Sequence, residues 1–216
     1  MQYSQVYQLE SNDYLTYLHT QIRDKNADLA CFEYYSNQLL RQLLVKAATL
    51  LPYDSEDVIT PIGETYQGLR FSRGVCGVSV IRAGESFEGE YRKIFSGQPV
   101  GKILIQRNPQ TKLPHYFYSH FPDDIAERSV LLFEPMLATG GSLVMAIETL
   151  LENQVSLKNI YVVNVLASPA GIERLYSRFP DIVLVTSSIE QGLSDQAFMK
   201  PGIGDFGDRY FGTRHA

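Results

Sequence analysis

The chain has 216 residues, 44% of them hydrophobic, and a formal net charge of -5. That length suits one domain with a real core, and the acidic balance, with a pI near 5.4, leaves no basic excess for a general nucleic-acid surface. The two cysteines, Cys31 and Cys76, lie outside any CxxC or Cys/His cluster, which argues against a disulfide scaffold and a structural zinc site.

Residues 1–22 open on the polar MQYSQVYQLESNDYL. They carry no apolar signal region and are expected as a loosely tethered arm before a single domain over 23–216. No run of about 18 apolar residues offers a membrane span, so a cytoplasmic protein is expected, with the nucleus left open. From Phe32 to Leu51, Leu39, Leu40, Leu43, Leu44, Ala47 and Leu50 recur at helical spacing, and Pro52 stops that helix. Residues 58–60 and 69–71 are expected to pair as short strands around PIGETYQG. GVCGVSVI (74–81) is a continuous, β-branched apolar run and reads as a buried strand, with Cys76 as a small hydrophobe. It ends at Arg82-Ala83-Gly84, and a helix is expected from Glu85 to Phe95.

GKILIQR (101–107) and HYFYSHF (115–121) read as extended segments joined through NPQTKLP, a hairpin tip. Ser129–Glu134 is the next strand and Ser142–Glu152 a helix. NIYVVNVLA (159–167) is a strand, SPAGIERLYSRF (168–179) a helix with proline in its first turn, and DIVLVTSSI (181–189) a strand. This alternation predicts an α/β fold with a mainly parallel sheet flanked by helices. Ligands then bind at the carboxyl ends of the strands.

Three segments stand at that rim. Ala138–Ser142 joins a strand to a helix, where unpaired N–H groups and glycines suit an anion. Plain helix capping accounts for the same residues equally well. The stretch is neither a Walker loop nor GxGxxG. Arg82 and Arg107 each end an extended segment, and their guanidiniums match phosphate in a fork geometry; solvated surface positions are the alternative. KPGIGDFGDRYFGT (200–213) reads as a flexible tail or as a glycine-bent pocket lining, and Ile203, Phe206, Tyr210 and Phe211 favour the lining.

FEPMLATGGS, RAGES, GKILIQR and PGIGDFGDRYFGT together resemble the uracil phosphoribosyltransferases, in particular their eukaryotic branch. RDKN (23–26) and TYQG (65–68) also fit, so the likeness runs from about Asp13 to Thr213. The resemblance implies a phosphoribosyltransferase-type fold with a protruding β-hairpin and a C-terminal base-binding segment. It implies transfer from 5-phospho-α-D-ribose 1-diphosphate to N1 of uracil, giving UMP and diphosphate. It makes Glu134, Pro135, Met136, Leu137, Ala138, Thr139, Gly140, Gly141 and Ser142 the phosphoribosyl diphosphate loop. Arg82 and Arg107 would contact the diphosphate and Asp205 the phosphoribosyl group, these three being the catalytic set. Met199, Gly204, Asp205 and Phe206 would line the uracil site. Mg2+ would be carried by the phosphoribosyl diphosphate, without direct protein ligands. A homodimer or homotetramer is implied, with no nucleic-acid or membrane partner.

Departures from the family pattern are Glu134 where Asp is usual, Asn108 after Arg107, and Met199-Lys200 in place of an apolar pair. Lys200 either stands near the base or points away into solvent. Leu29, Gln38 and Pro99 occupy positions that are basic in relatives activated by GTP, so GTP activation is expected to be weak or absent. The rival readings are a catalytically silent nucleotide-binding relative, an RNA-binding regulator on the same fold, and an orotate or purine transferase. Orotate would demand a cation, for which Lys200 is the obvious candidate. A purine enzyme would show a second acid after Glu134, where Pro135 stands.

Overall fold

A computed structural model describes residues 4–107 and 114–213. The chain opens with strand β1 (Val6–Gln8), helix α1 (Asp13–Arg23) and helix α2 (Leu29–Ala48). Asn12 and Asp28 cap these helices, each accepting a backbone N–H at 2.8 Å. Strands β2 (Tyr53–Ile59) and β3 (Thr65–Phe71) form a separate antiparallel hairpin, Tyr53 facing Phe71 and Ile59 facing Thr65. The hairpin is longer than the sequence pattern led us to expect. It protrudes, with Val58, Ile59, Ile62, Tyr66 and Leu69 exposed.

Then follow β4 (Val75–Ile81), α3 (Glu88–Ile94), β5 (Val100–Arg107), β6 (Pro114–His120), β7 (Ser129–Phe133), the two-residue β8 (Met136–Leu137) and α4 (Gly141–Glu152). The expected hairpin tip, 108–113, lies outside the described residues. The chain continues through β9 (Ile160–Ala167), α5 (Pro169–Arg178), β10 (Val183–Ile189), the short antiparallel pair β11 (Gly192–Leu193) and β12 (Met199–Lys200), and α6 (Phe206–Phe211). The main sheet runs β1-β10-β9-β7-β4-β5-β6, with β8 also on β9. Only the β5–β6 pairing is antiparallel within it.

The parallel strands are buried on both faces, which is why their sequences are continuous rather than alternating. In β9, Val163 and Val165 point into one core with α1, α2 and α3. Ile160 and Val162 point into the other, with α4 and α5. On α2, Phe32, Leu39, Leu40, Leu43, Leu44 and Ala47 are buried; each larger side chain contributes about 1.5–3 kcal/mol relative to exposure.

Within the expected arm, residues 4–22 are not loosely tethered. β1 extends the sheet in parallel with β10, and Leu15, Leu18 and Ile22 of α1 are buried against α2. Apolar residues at spacings of three and four give that helix one buried face, so the polar composition concealed an amphipathic element. Among the described residues no helix is long and apolar enough to cross a membrane.

Candidate active site

A cleft of about 780 Å3 opens where β4, β5 and β7 end. Its lining comes from four directions: Ile81 at the end of β4 with Arg82, Ala83 and Glu85 after it, residues 104–106 on β5, residues after β7, and the segment that includes Met199 and Phe206. This is the carboxyl rim expected of a parallel sheet.

After β7 the chain makes a loop and enters α4. Glu134, Met136, Ala138 and Ser142 line the cleft. Pro135, Leu137, Gly140 and Gly141 are buried and Thr139 is half-buried. Gly140 precedes α4 with φ +76°, and the helix has neither a side-chain cap nor an acid in its first turn. The leading N–H groups of a helix have no intrahelical acceptor and carry its positive dipole end. Capping, the competing reading of these residues, is thus not done by a side chain.

The loop is held from beneath by buried polar groups. Asn164, in the middle of β9, donates to the carbonyls of Glu134 at 2.8 Å and Pro135 at 3.0 Å. Its own Oδ1 accepts from Thr186 at 2.9 Å. Ser168, the cap of α5, donates to the Ala138 carbonyl at 2.5 Å and accepts the Gly171 N–H at 2.9 Å. A low-dielectric setting strengthens such fully satisfied networks. Sequence reasoning missed these residues, although a lone Asn inside IYVVNVLA is itself a signal.

Arg82 follows β4 across a cis Ile81–Arg82 peptide. Gly84 brings this turn close to β7: a Cβ there would overlap the Phe133 carbonyl. The Arg82 guanidinium is bound by Asp208, Nη2 to Oδ1 at 2.5 Å, and by Thr213. The Phe211 ring lies 5.8 Å away. Arg107 ends β5, paired with Pro114; its side chain, like Asn108, lies outside the described part of the structure.

The C-terminal segment is packed rather than free. Met199 is 6% exposed and Phe206 1%. The Phe206 ring sits between Phe32 and Tyr210, so its side chain belongs to the core while Gly204 and Asp205 are exposed at the cleft. Asp205 caps α6, its Oδ1 accepting from the Asp208 N–H at 2.8 Å. Lys200 is exposed and is not among the lining residues.

Two arginines anchor this segment to the N-terminal helices. Arg209, 7% exposed, donates to the carbonyls of Ile22, Ile203 and Asp24 at 2.6–2.8 Å, over the face of Phe32. Arg23 donates to the Glu190 carboxylate through Nη1 at 3.0 Å and Nη2 at 2.7 Å, and through Nη1 to the Gly202 carbonyl at 2.9 Å. Glu190 also accepts the Gly202 N–H at 2.8 Å. Burial alone would raise the Glu190 carboxyl, yet Arg23 and that N–H hold it below its ordinary pKa.

A family model described as uracil phosphoribosyltransferase matches residues 9–213. The uracil phosphoribosyltransferase of Saccharomyces cerevisiae is 42% identical over 209 residues, covering 97% of each chain. That of Dictyostelium discoideum is 43% identical over 205 residues, covering 95% of each. The solved structure of an Aquifex aeolicus protein matches 98% of this chain and 100% of its own with a TM-score of 0.87 at 24% identity, a likeness of fold.

Proposed function

This chain belongs to the uracil phosphoribosyltransferase family, and from that premise we propose how its cleft performs the reaction. The enzyme is a pentosyltransferase that makes UMP and diphosphate from uracil and phosphoribosyl diphosphate, a salvage step. The observation that carries the residue-level reading is that one cleft unites Arg82, residues of the loop before α4, Met199 and residues 203–206.

In this reading Ala138–Ser142 hold the 5′-phosphate at the start of α4. Glu134, acceptor-only when ionised, faces the ribose hydroxyls. The bond from the anomeric carbon to the diphosphate breaks while positive charge develops on the ribose, and N1 of uracil forms the new bond. Arg82 and Arg107 stabilise the departing negative charge, and Asp205 contacts the phosphoribosyl group. Mg2+ would enter on the phosphoribosyl diphosphate, without direct protein ligands; the Glu134 and Asp205 carboxylates that line the cleft are hard oxygen groups that suit its hydration shell. When bound, that ion offsets charge on the diphosphate.

Uracil presents acceptor, donor and acceptor along one edge. Backbone groups of Met199 and Gly204–Phe206 read that order, and cytosine would leave buried groups unpaired. Orotate is disfavoured because Lys200, its candidate cation, is not part of the lining. The test is a panel of uracil, cytosine, orotate and hypoxanthine, each with phosphoribosyl diphosphate and Mg2+. Nucleotide and diphosphate are expected with uracil alone; turnover of another base, or of none, overturns the reading.

The protruding β2–β3 hairpin exposes Val58, Ile59, Ile62, Tyr66 and Leu69 among charged neighbours, which supports a homodimer or homotetramer, testable by sedimentation. Both cysteines are free, which suits a reducing compartment, and we assign the enzyme to the cytoplasm.

A further inference from the structure

The guanidinium of Arg82 stands at the end of a long, flexible stem, and three contacts hold it. Asp208 Oδ1 accepts from Nη2 at 2.5 Å, and Thr213 Oγ1 accepts from Nη1. The Thr213 hydroxyl in turn donates to the same Asp208 oxygen at 2.8 Å, and the Phe211 ring lies beside the group. Arg82 lines the cleft, whereas Asp208, Phe211 and Thr213 do not. The groups that grip the guanidinium therefore lie outside the lining of the cleft that Arg82 borders.

Asp208 is itself well placed for this task. It sits in α6, whose start is capped by Asp205 and whose next residue, Arg209, is tied to three backbone carbonyls. The anchor is thus more rigid than the side chain it holds. A guanidinium in a fixed orientation loses less freedom when it meets an anion, and a positioned donor is worth more than a mobile one.

We propose that Asp208, with Thr213, is a positioning residue that orients Arg82 toward the diphosphate of phosphoribosyl diphosphate. This rests on the reading of Arg82 given above. The opposite role, a parked arginine that substrate must pull away from Asp208, predicts the reverse sign.

The test is calorimetric binding of phosphoribosyl diphosphate, with Mg2+, to the full chain. Asp208→Ala is expected to weaken binding about tenfold or more, the size of one lost charge-assisted hydrogen bond. Asp208→Asn keeps an oxygen that accepts from the guanidinium and is expected to recover most of the affinity. In an Arg82→Ala background, Asp208→Ala is expected to add nothing, because it acts through the missing group. Unchanged or tighter binding by Asp208→Ala overturns the proposal, as do losses that multiply in the double variant. Should Asp208→Ala not fold, Thr213→Val carries the same test: weaker binding supports the grip, and unchanged binding overturns it. Wild-type protein that binds phosphoribosyl diphosphate yet converts no uracil would refute the proposed function while leaving the positioning result intact.

Discussion

Neighbouring glycines at the start of α4 do different jobs. Gly140 has φ +76°, where an L side chain is strained, and a Cβ there would lie 3.1 Å from the Gly171 carbonyl. Gly141 has ordinary room, its nearest neighbours being Pro114 carbons at 3.5 Å. A methyl at Gly141 should thus be tolerated by the fold but crowd the anion. Gly141→Ala is expected to keep its melting temperature and to raise KM for phosphoribosyl diphosphate by about tenfold or more. An unchanged KM would separate this turn from the phosphate. His19 makes a second prediction. Both its ring nitrogens are buried without a hydrogen-bond partner among the described residues. Burial first, then Arg23, lowers its pKa from 6.5 to about 4. The unfolded chain therefore takes up this proton first, so stability should fall as pH drops from 6.5 toward 4. Glu190, whose folded pKa is depressed, adds a further loss only below its ordinary 4.5. In urea titrations His19→Leu should flatten the upper window and leave the lower one; equal slopes in both proteins would contradict this.

At the scale of elements, α1 is the place to measure how firmly the N-terminal region belongs to the fold. Leu18 is fully buried against α2. Leu18→Ala is expected to cost about 2–5 kcal/mol in denaturant unfolding; a loosely tethered arm would show almost no change. The sequence pattern disclosed the elements with the strongest signal, the runs 74–81, 129–134, 159–167 and 181–189, because strands buried on both faces tolerate few polar residues. It disclosed α2 through periodicity and Pro52. It concealed α1 because Leu15, Leu18 and Ile22 form a single stripe among polar neighbours. The site divides along the same line. Residues of contiguous motifs, Arg82, Glu134–Ser142 and Met199–Phe206, were legible together. Partners distant in sequence, such as Asn164 beneath Glu134 and Asp208 beside Arg82, depend on chain topology and were not.

Across the whole molecule, the carboxyl ends of the central strands and the segment 197–207 meet at one cleft. Arg23 and Arg209 connect the N-terminal helices to the segment carrying Met199–Phe206, so the cleft depends on contacts between residues nearly a chain length apart. Regulation is also a property at this scale. Leu29 is exposed and Gln38 and Pro99 are half-buried, and none offers a cation to a nucleotide triphosphate. GTP added at saturating substrates should leave the rate essentially unchanged, and a large increase would refute that expectation. The most direct measurement of the central claim is a crystal structure of the protein with UMP. The account predicts phosphate oxygens on the backbone N–H groups of residues 139–142 and the base against Met199–Phe206. A phosphate bound elsewhere, with that turn facing away from it, would contradict the account.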